Sequence, residues 1–433
     1  MLRVPAKVLC RLRTVSHSWL SFLSDKRFIA EHTARHPGTH IVVGYNTALQ
    51  EDHILYDIYD LSGHIVKRVR ATGNKNELEW VMYTQPDLIC VMKWTDMSIR
   101  LLNPATGVVN ALPTSLAQEH AVYQQDVCNY CFTAAFGQAA STGVYKVLRV
   151  IVILENGPLE QLYEVFTLDD NSHGRWRAKQ APPYQVELDC RDNVVINGIV
   201  YFFLSYDVDE HKRRVASFNL ETEEWSASIP GPLASLEDED DAGILYYHIH
   251  WSFQLTIGAL GGSLVMACHP ICSTPSSLAL WFLVDFEKGL WVKQYSIELS
   301  FRYPAYSIHP FLVLNDGRMV FVIDTINSGG LFKIYDPETK TSEDVMEMGY
   351  GVAFGLYTGS LLSLANSASV ANETQLDLLK DHEIYDVNPT FCGQIVFQEN
   401  ASYSVGSCNL CAWNGSRIKK EDGKREGMKK KNR

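Results

Sequence analysis

Two Cys-x-x-Cys pairs, Cys128-Asn129-Tyr130-Cys131 and Cys408-Asn409-Leu410-Cys411, carry the most recognisable chemistry in this chain. Four thiolates form a tetrahedral zinc set. The pairs lie 280 residues apart and no glycine-rich knuckle frames them. We therefore expect reduced, incidental thiols and no zinc site. His248-Ile249-His250, read as a strand, sets two imidazoles on one face, but no third ligand is in view. The five acids Glu237 to Asp241 crowd like charge, which suits a solvated loop better than acid–base work. The chain has no phosphate loop, nucleophile elbow or His-Glu-x-x-His. The reading is no catalytic residue, no metal and no cofactor. Sequons at Asn372, Asn400 and Asn414 matter only in a secreted protein.

The elements that would position such groups are mainly strands. The chain has 433 residues, 46% hydrophobic and 11% aromatic. Val and Ile are plentiful and helical periodicity is scarce after residue 36, which favours an all-β body. Apolar runs stay short of the ~18 residues of a membrane span; Val147 to Leu154 is broken by Arg149. The net charge is −12, yet residues 417–433 hold nine Lys/Arg against three acids. The body is thus strongly acidic, which argues against general nucleic-acid binding. The tail reads as a solvated disordered end or a nuclear address. Ten cysteines without a secretory signal point to the cytoplasm, the nucleus or both. The basic, initially acid-free N-terminus also has the shape of a mitochondrial presequence.

A repeat runs from about residue 40 to residue 365. Its first half is a hairpin: Val194 to Ile196, Asn197-Gly198, Ile199 to Phe202 is the clearest copy. Others centre on Gly261-Gly262, on Asn315-Asp316-Gly317, and on Thr358-Gly359 between Leu356 and Leu361-Leu362. Its second half is a strand ending in Asp or Asn, then a polar turn and often a Trp: Val215 to Trp225, Leu280 to Trp291, Leu331 to Thr341. Earlier copies are Ile99 to Asn103, Tyr163 to Trp176 and Ile54 to Gly63. Two hairpins make a four-stranded meander, and repeated meanders predict a β-propeller of about six blades, with seven open because the spacing is uneven.

Ahead of the repeat, Val8, Leu12, Val15, Trp19 and Phe22 fall in steps of four and three, an apolar stripe on helical turns. Pro5 suits a first helical position. The plain reading is a pair of small helices docked on the protein's own body. The words Pro5-Ala6-Lys7, Leu9, Arg11, Arg13, Val15, Ser18-Trp19, Leu23-Ser24-Asp25 and Phe28 resemble the second and third helices of an F-box. The family's acidic first helix is absent, so the expectation is an F-box truncated at Met1, from a misplaced start or a degenerate member. Residues 40 to 365 resemble the F-box-associated region of plant F-box proteins. The matching words are Leu102 to Gly107 with Leu112-Pro113, Tyr145 to Val150, Glu164 to Leu168 with Trp176-Arg177, and Asn197 to Tyr201.

The resemblance implies a partial F-box over 1–36 and a kelch-like propeller over 37–365; it fades after Ala365, which leaves an irregular segment over 366–416 and, by composition, a basic disordered tail over 417–433. It implies a non-catalytic substrate-recognition subunit of an SCF-type cullin ubiquitin ligase, with a Skp-type adaptor and a target protein as partners. Pro5, Leu9, Leu12, Val15 and Trp19 would make or support the adaptor contacts. Two alternatives stay open: a stand-alone propeller enzyme of hydrolase or oxidase type, and an F-box relic that only binds proteins.

Overall fold

The structure is a computed structural model. It describes residues 2–4, 9, 12, 15–23, 25–35, 40–45, 54–70, 79–84, 88–93, 98–103, 109–123, 127–153, 160–168, 174–188, 193–204, 214–232, 253–270, 276–299, 305–325, 329–349 and 351–357. Among the described residues two short helices, α1 (His17–Leu23) and α2 (Lys26–Arg35), precede a six-bladed β-propeller.

Blade 1 takes β1 (His40–Tyr45), β2 (Ile54–Tyr59) and β3 (Ile65–Arg70). Blade 2 is β4 (Glu79–Thr84), β5 (Ile89–Lys93), β6 (Ser98–Leu102) and β7 (Val109–Ala111). Blade 3 is β8 (Val127–Gln138), β9 (Tyr145–Ile153), β10 (Glu160–Leu168) and β11 (Arg177–Lys179). Blade 4 is β12 (Asn193–Ile196), β13 (Ile199–Phe203), β14 (Arg214–Asn219) and a split outer strand, β15 (Glu224–Trp225) and β16 (Ile229–Pro230). Blade 5 is β17 (Phe253–Leu260), β18 (Ser263–Pro270), β19 (Ser276–Asp285) and β20 (Leu290–Leu299). Blade 6 is β21 (Ala305–Val313), β22 (Met319–Thr325), β23 (Gly329–Asp336) and β24 (Thr341–Gly349). The last strand, β25 (Gly351–Tyr357), returns to blade 1 and pairs antiparallel with β1, Ile41 opposite Leu356. This seam closes the ring. Leu356, read from sequence as the start of a hairpin, pairs here with β1; the rest of that hairpin, residues 358–365, lies outside the described residues.

The turns follow from local chemistry. Asn197 and Gly198 sit at φ 50 and 78, the positive pair that a two-residue hairpin demands. The other recurrent turn joins the third strand of a blade to the fourth. A side-chain carboxylate or amide at the strand end accepts backbone N–H groups from the turn: Asn219 from Glu221 at 2.7 Å, Asp336 from Glu338 at 2.8 Å, Asp285 from Lys288 at 3.1 Å, Asp60 from Ser62 and His64 at 2.9 Å each. These are Asx turns, which is why the repeat's strands end in Asp or Asn.

Middle strands are flanked by neighbouring blades on both faces, so they read as continuous apolar runs. β2 is buried at every position. The core lies in wedges between blades. Val265, Leu280, Phe321 and Ile323 fill one between blades 5 and 6; Leu148, Tyr163, Phe202 and Phe218 fill one between blades 3 and 4. Each such side chain contributes about 1.5–3 kcal/mol by burial.

Candidate docking surface and buried polar nodes

The N-terminal helices are built from caps inward. Ser16 Oγ accepts the Trp19 N–H at 3.2 Å and starts α1. Asp25 Oδ1 accepts the N–H of Arg27 at 2.8 Å and of Phe28 at 3.2 Å and starts α2. The His32 ring contacts the Val4 carbonyl at 2.8 Å and holds the segment before α1 against α2. Leu9 and Leu23 are fully buried, with Val4, Leu12, Trp19 and Phe28 packed around them.

Of the residues expected to serve an adaptor, Leu9 is the core of the module, Leu12 and Trp19 support it, and Val15 stands 65% exposed. Pro5 and Val8 lie outside the described residues. Leu20 and Phe22 are also exposed, at 41% and 49%. The stripe therefore does not bury as one face. It assumed one continuous helix, but a turn from Leu12 to Val15 and a new cap at Ser16 reset the phase. The exposed Phe22 edges onto Trp19 at 6.5 Å and tilts over Phe28 at 4.8 Å. Together with Leu2, Arg3 and Arg35, Phe22 and Phe28 line an open pocket of about 470 Å³. The sequence places Phe22 in the stripe, whereas Leu20 falls outside it, off the four-and-three spacing of the apolar positions.

The propeller carries buried polar nodes. In blade 3, Arg149 (1% exposed) donates to Glu164 Oε2 from Nε at 2.8 Å and from Nη2 at 2.6 Å. Glu164 Oε1 accepts the Ala117 N–H and contacts the His120 ring, each at 2.8 Å. The guanidinium lies 3.8 Å over the Trp176 ring, and Trp176 donates to the Pro113 carbonyl. The node ties the connection between blades 2 and 3 onto blade 3. It also gives physical content to the words Tyr145 to Val150, Glu164 to Leu168 and Trp176-Arg177.

A second node joins blades 3 and 4. Glu223, at φ 60, holds Lys146 at 2.9 Å, Lys179 at 2.5 Å and Arg177. Burial alone would raise its carboxyl, but hydrogen bonds from Lys179 and Lys146 and the charge of Arg177 outweigh it and hold it down at about 2. A carboxyl depressed in the fold stabilises fully above its unfolded value, and that stabilisation is lost as pH falls. The denaturation midpoint is expected to fall between about pH 5 and pH 2, and Glu223→Gln to flatten part of that fall in a urea titration across pH. An unchanged profile would show that the cluster adds nothing.

A third polar group has the residue types of a triad but not its geometry. Ser307 donates to Asp324 at 2.5 Å, while His309 Nε2 faces both, 3.0 Å from the serine and 3.7 Å from the carboxylate. A relay needs the acid on the imidazole's other nitrogen. Burial pushes the thiols of Cys90 and Cys268 up, to about 12 and about 11, away from nucleophilic thiolates. Cys128 and Cys131 lie in β8; Cys408, Cys411, His248, His250 and the acids 237–241 lie outside the described residues. Among the described residues no group of three or more metal-ligating side chains assembles. No helix among them is long and apolar enough to cross a membrane.

A ring of six four-stranded meanders sealed by its two ends defines a β-propeller. The F-box associated beta propeller domain family matches residues 63–357, and the chain belongs to that family. It is similar to an F-box-type protein of Arabidopsis thaliana, 25% identical over 353 residues covering 77% of this chain and 78% of the relative. It is also similar to an F-box/LRR-repeat protein of the same plant, 24% identical over 363 residues (77% and 74%). An F-box/WD-40 repeat-containing protein is 21% identical over 396 residues (82% and 84%). The structure sets β1 and β2, which precede the matched range, in the same ring.

Proposed function

We propose that this chain is the substrate-recognition subunit of an SCF-type cullin ubiquitin ligase. Its N-terminal helices dock a Skp-type adaptor and its propeller binds a target protein; catalysis belongs to the conjugating enzyme that the assembly brings near. The observation that carries the reading is the exposed apolar surface of Val15, Leu20 and Phe22 on a capped helical module. Family membership supports it, and proteins of this family are generally non-catalytic.

The test is binding of recombinant Skp-type adaptor to the full chain. Phe22→Asp is the variant of choice because Phe22 is half exposed, whereas Trp19 and Leu9 support the module itself. A docking anchor of this kind is worth about 2 kcal/mol or more, a loss of at least roughly tenfold in affinity. Binding untouched by Phe22→Asp would remove this surface from the contact. No binding by the intact chain would favour a propeller that binds proteins without a ligase.

A further inference from the structure

Among the described residues, the outer strand of each blade has one edge without a partner strand, and five of the six are short or strongly charged. Strands β7 and β11 have three residues each, and β15 and β16 have two each. Strand β3 has six and carries Lys67, Arg68 and Arg70; β24 has nine and carries Glu343, Asp344 and Glu347. Short length and like charge are the usual means of protecting an edge. Strand β20 lacks both. It has ten residues, with Lys293 and Glu298 as its charges, and closes its sheet opposite β19. Trp291, Ile297 and Leu299 anchor it inward. Beside the β19–β20 turn, Val284, Leu290 and Val292 are 52%, 50% and 42% exposed.

We propose that the edge of β20 receives an extended, near-neutral peptide segment of a target protein, with apolar side chains at alternate positions. Main-chain hydrogen bonds supply affinity, and Val284, Leu290 and Val292 select apolar side chains. The area favours a peptide over a second copy. A ten-residue strand is about 33 Å long and one strand spacing, ~4.8 Å, wide. That footprint is about 160 Å², well short of the ~800 Å² per partner of a stable dimer. Near-neutral charge also separates this edge from β3 and β24, which would draw acidic and basic segments.

The test selects phage-displayed random decapeptides on the full chain. Selected peptides are expected to alternate apolar residues. Val292→Lys and Leu290→Lys should each weaken them at least tenfold. Methylating alternate backbone nitrogens of a selected peptide should abolish binding with its side chains intact. Both positions are exposed, so the variants should keep the wild-type unfolding midpoint. Failure to select any peptide, or binding indifferent to both lysines, overturns the proposal. So does a concentration-dependent dimer that Val292→Lys dissolves, because the edge would then serve self-association.

Discussion

Glu164→Ala is expected to lower the unfolding free energy by about 3–5 kcal/mol, the largest loss predicted for a single side chain here. The variant leaves Arg149 charged, 1% exposed and stripped of its carboxylate. The Ala117 N–H and His120 lose their acceptor in the same step. Arg149 would keep only the neutral Ser115 carbonyl, 2.7 Å from Nη2, and its Nη1 is already buried without a hydrogen-bond partner. Replacing both partners by apolar residues, Arg149→Met with Glu164→Leu, should recover most of the loss, because the double variant buries no charge. Urea unfolding followed by tryptophan fluorescence reads both, since Trp176 stacks on the pair. A single variant as stable as wild type would mean that water or another acceptor relieves the site.

Gly258→Ala is expected to destabilise by about 1–3 kcal/mol although it adds one methyl group. The new Cβ would stand 2.4 Å from the Pro310 carbonyl oxygen and 3.3 Å from its carbon. Those are backbone atoms of β21, and they cannot swing aside. Thr256 Oγ1 donates to the Ile308 carbonyl at 2.5 Å, which locks the spacing of the two inner strands. Gly330→Ala supplies the control. Its Cβ would meet the terminal carbon of Met348 at 2.5 Å, and that flexible end can rotate away. Equal midpoints for the two variants in thermal unfolding would refute the argument that the inner strands are held by backbone contact.

Much of the propeller was legible because its turns declare themselves. Asn197-Gly198 and the Asp or Asn at each third-strand end are local chemistry, independent of the rest of the fold. The seam was not legible, since β25 and β1 share no local signal and a strand's partner is set by topology. The split of blade 4's outer strand into β15 and β16 likewise depends on what β14 can pair with. The N-terminal stripe misled for a definable reason: periodicity assumes an unbroken helix, and a serine cap in mid-stripe is a weak signal to end it. Arg149 and Glu164 were visible only as a charge interrupting an apolar run and an acid in a strand. Their pairing needs the register that sets them opposite each other.

The seam has a consequence for synthesis. Ile41 and Leu356 are paired although more than 300 residues separate them. A nascent chain exposes β1 early and cannot supply its partner until Tyr357 has emerged from the ribosome. At ~5–20 residues per second, the wait is of the order of tens of seconds. Throughout it, one edge of β1 stays open and the wedge beside it incomplete. A chaperone acting on this protein during translation would therefore be needed longest at its first strand, and ribosome stalling late in the message would be more harmful than stalling early.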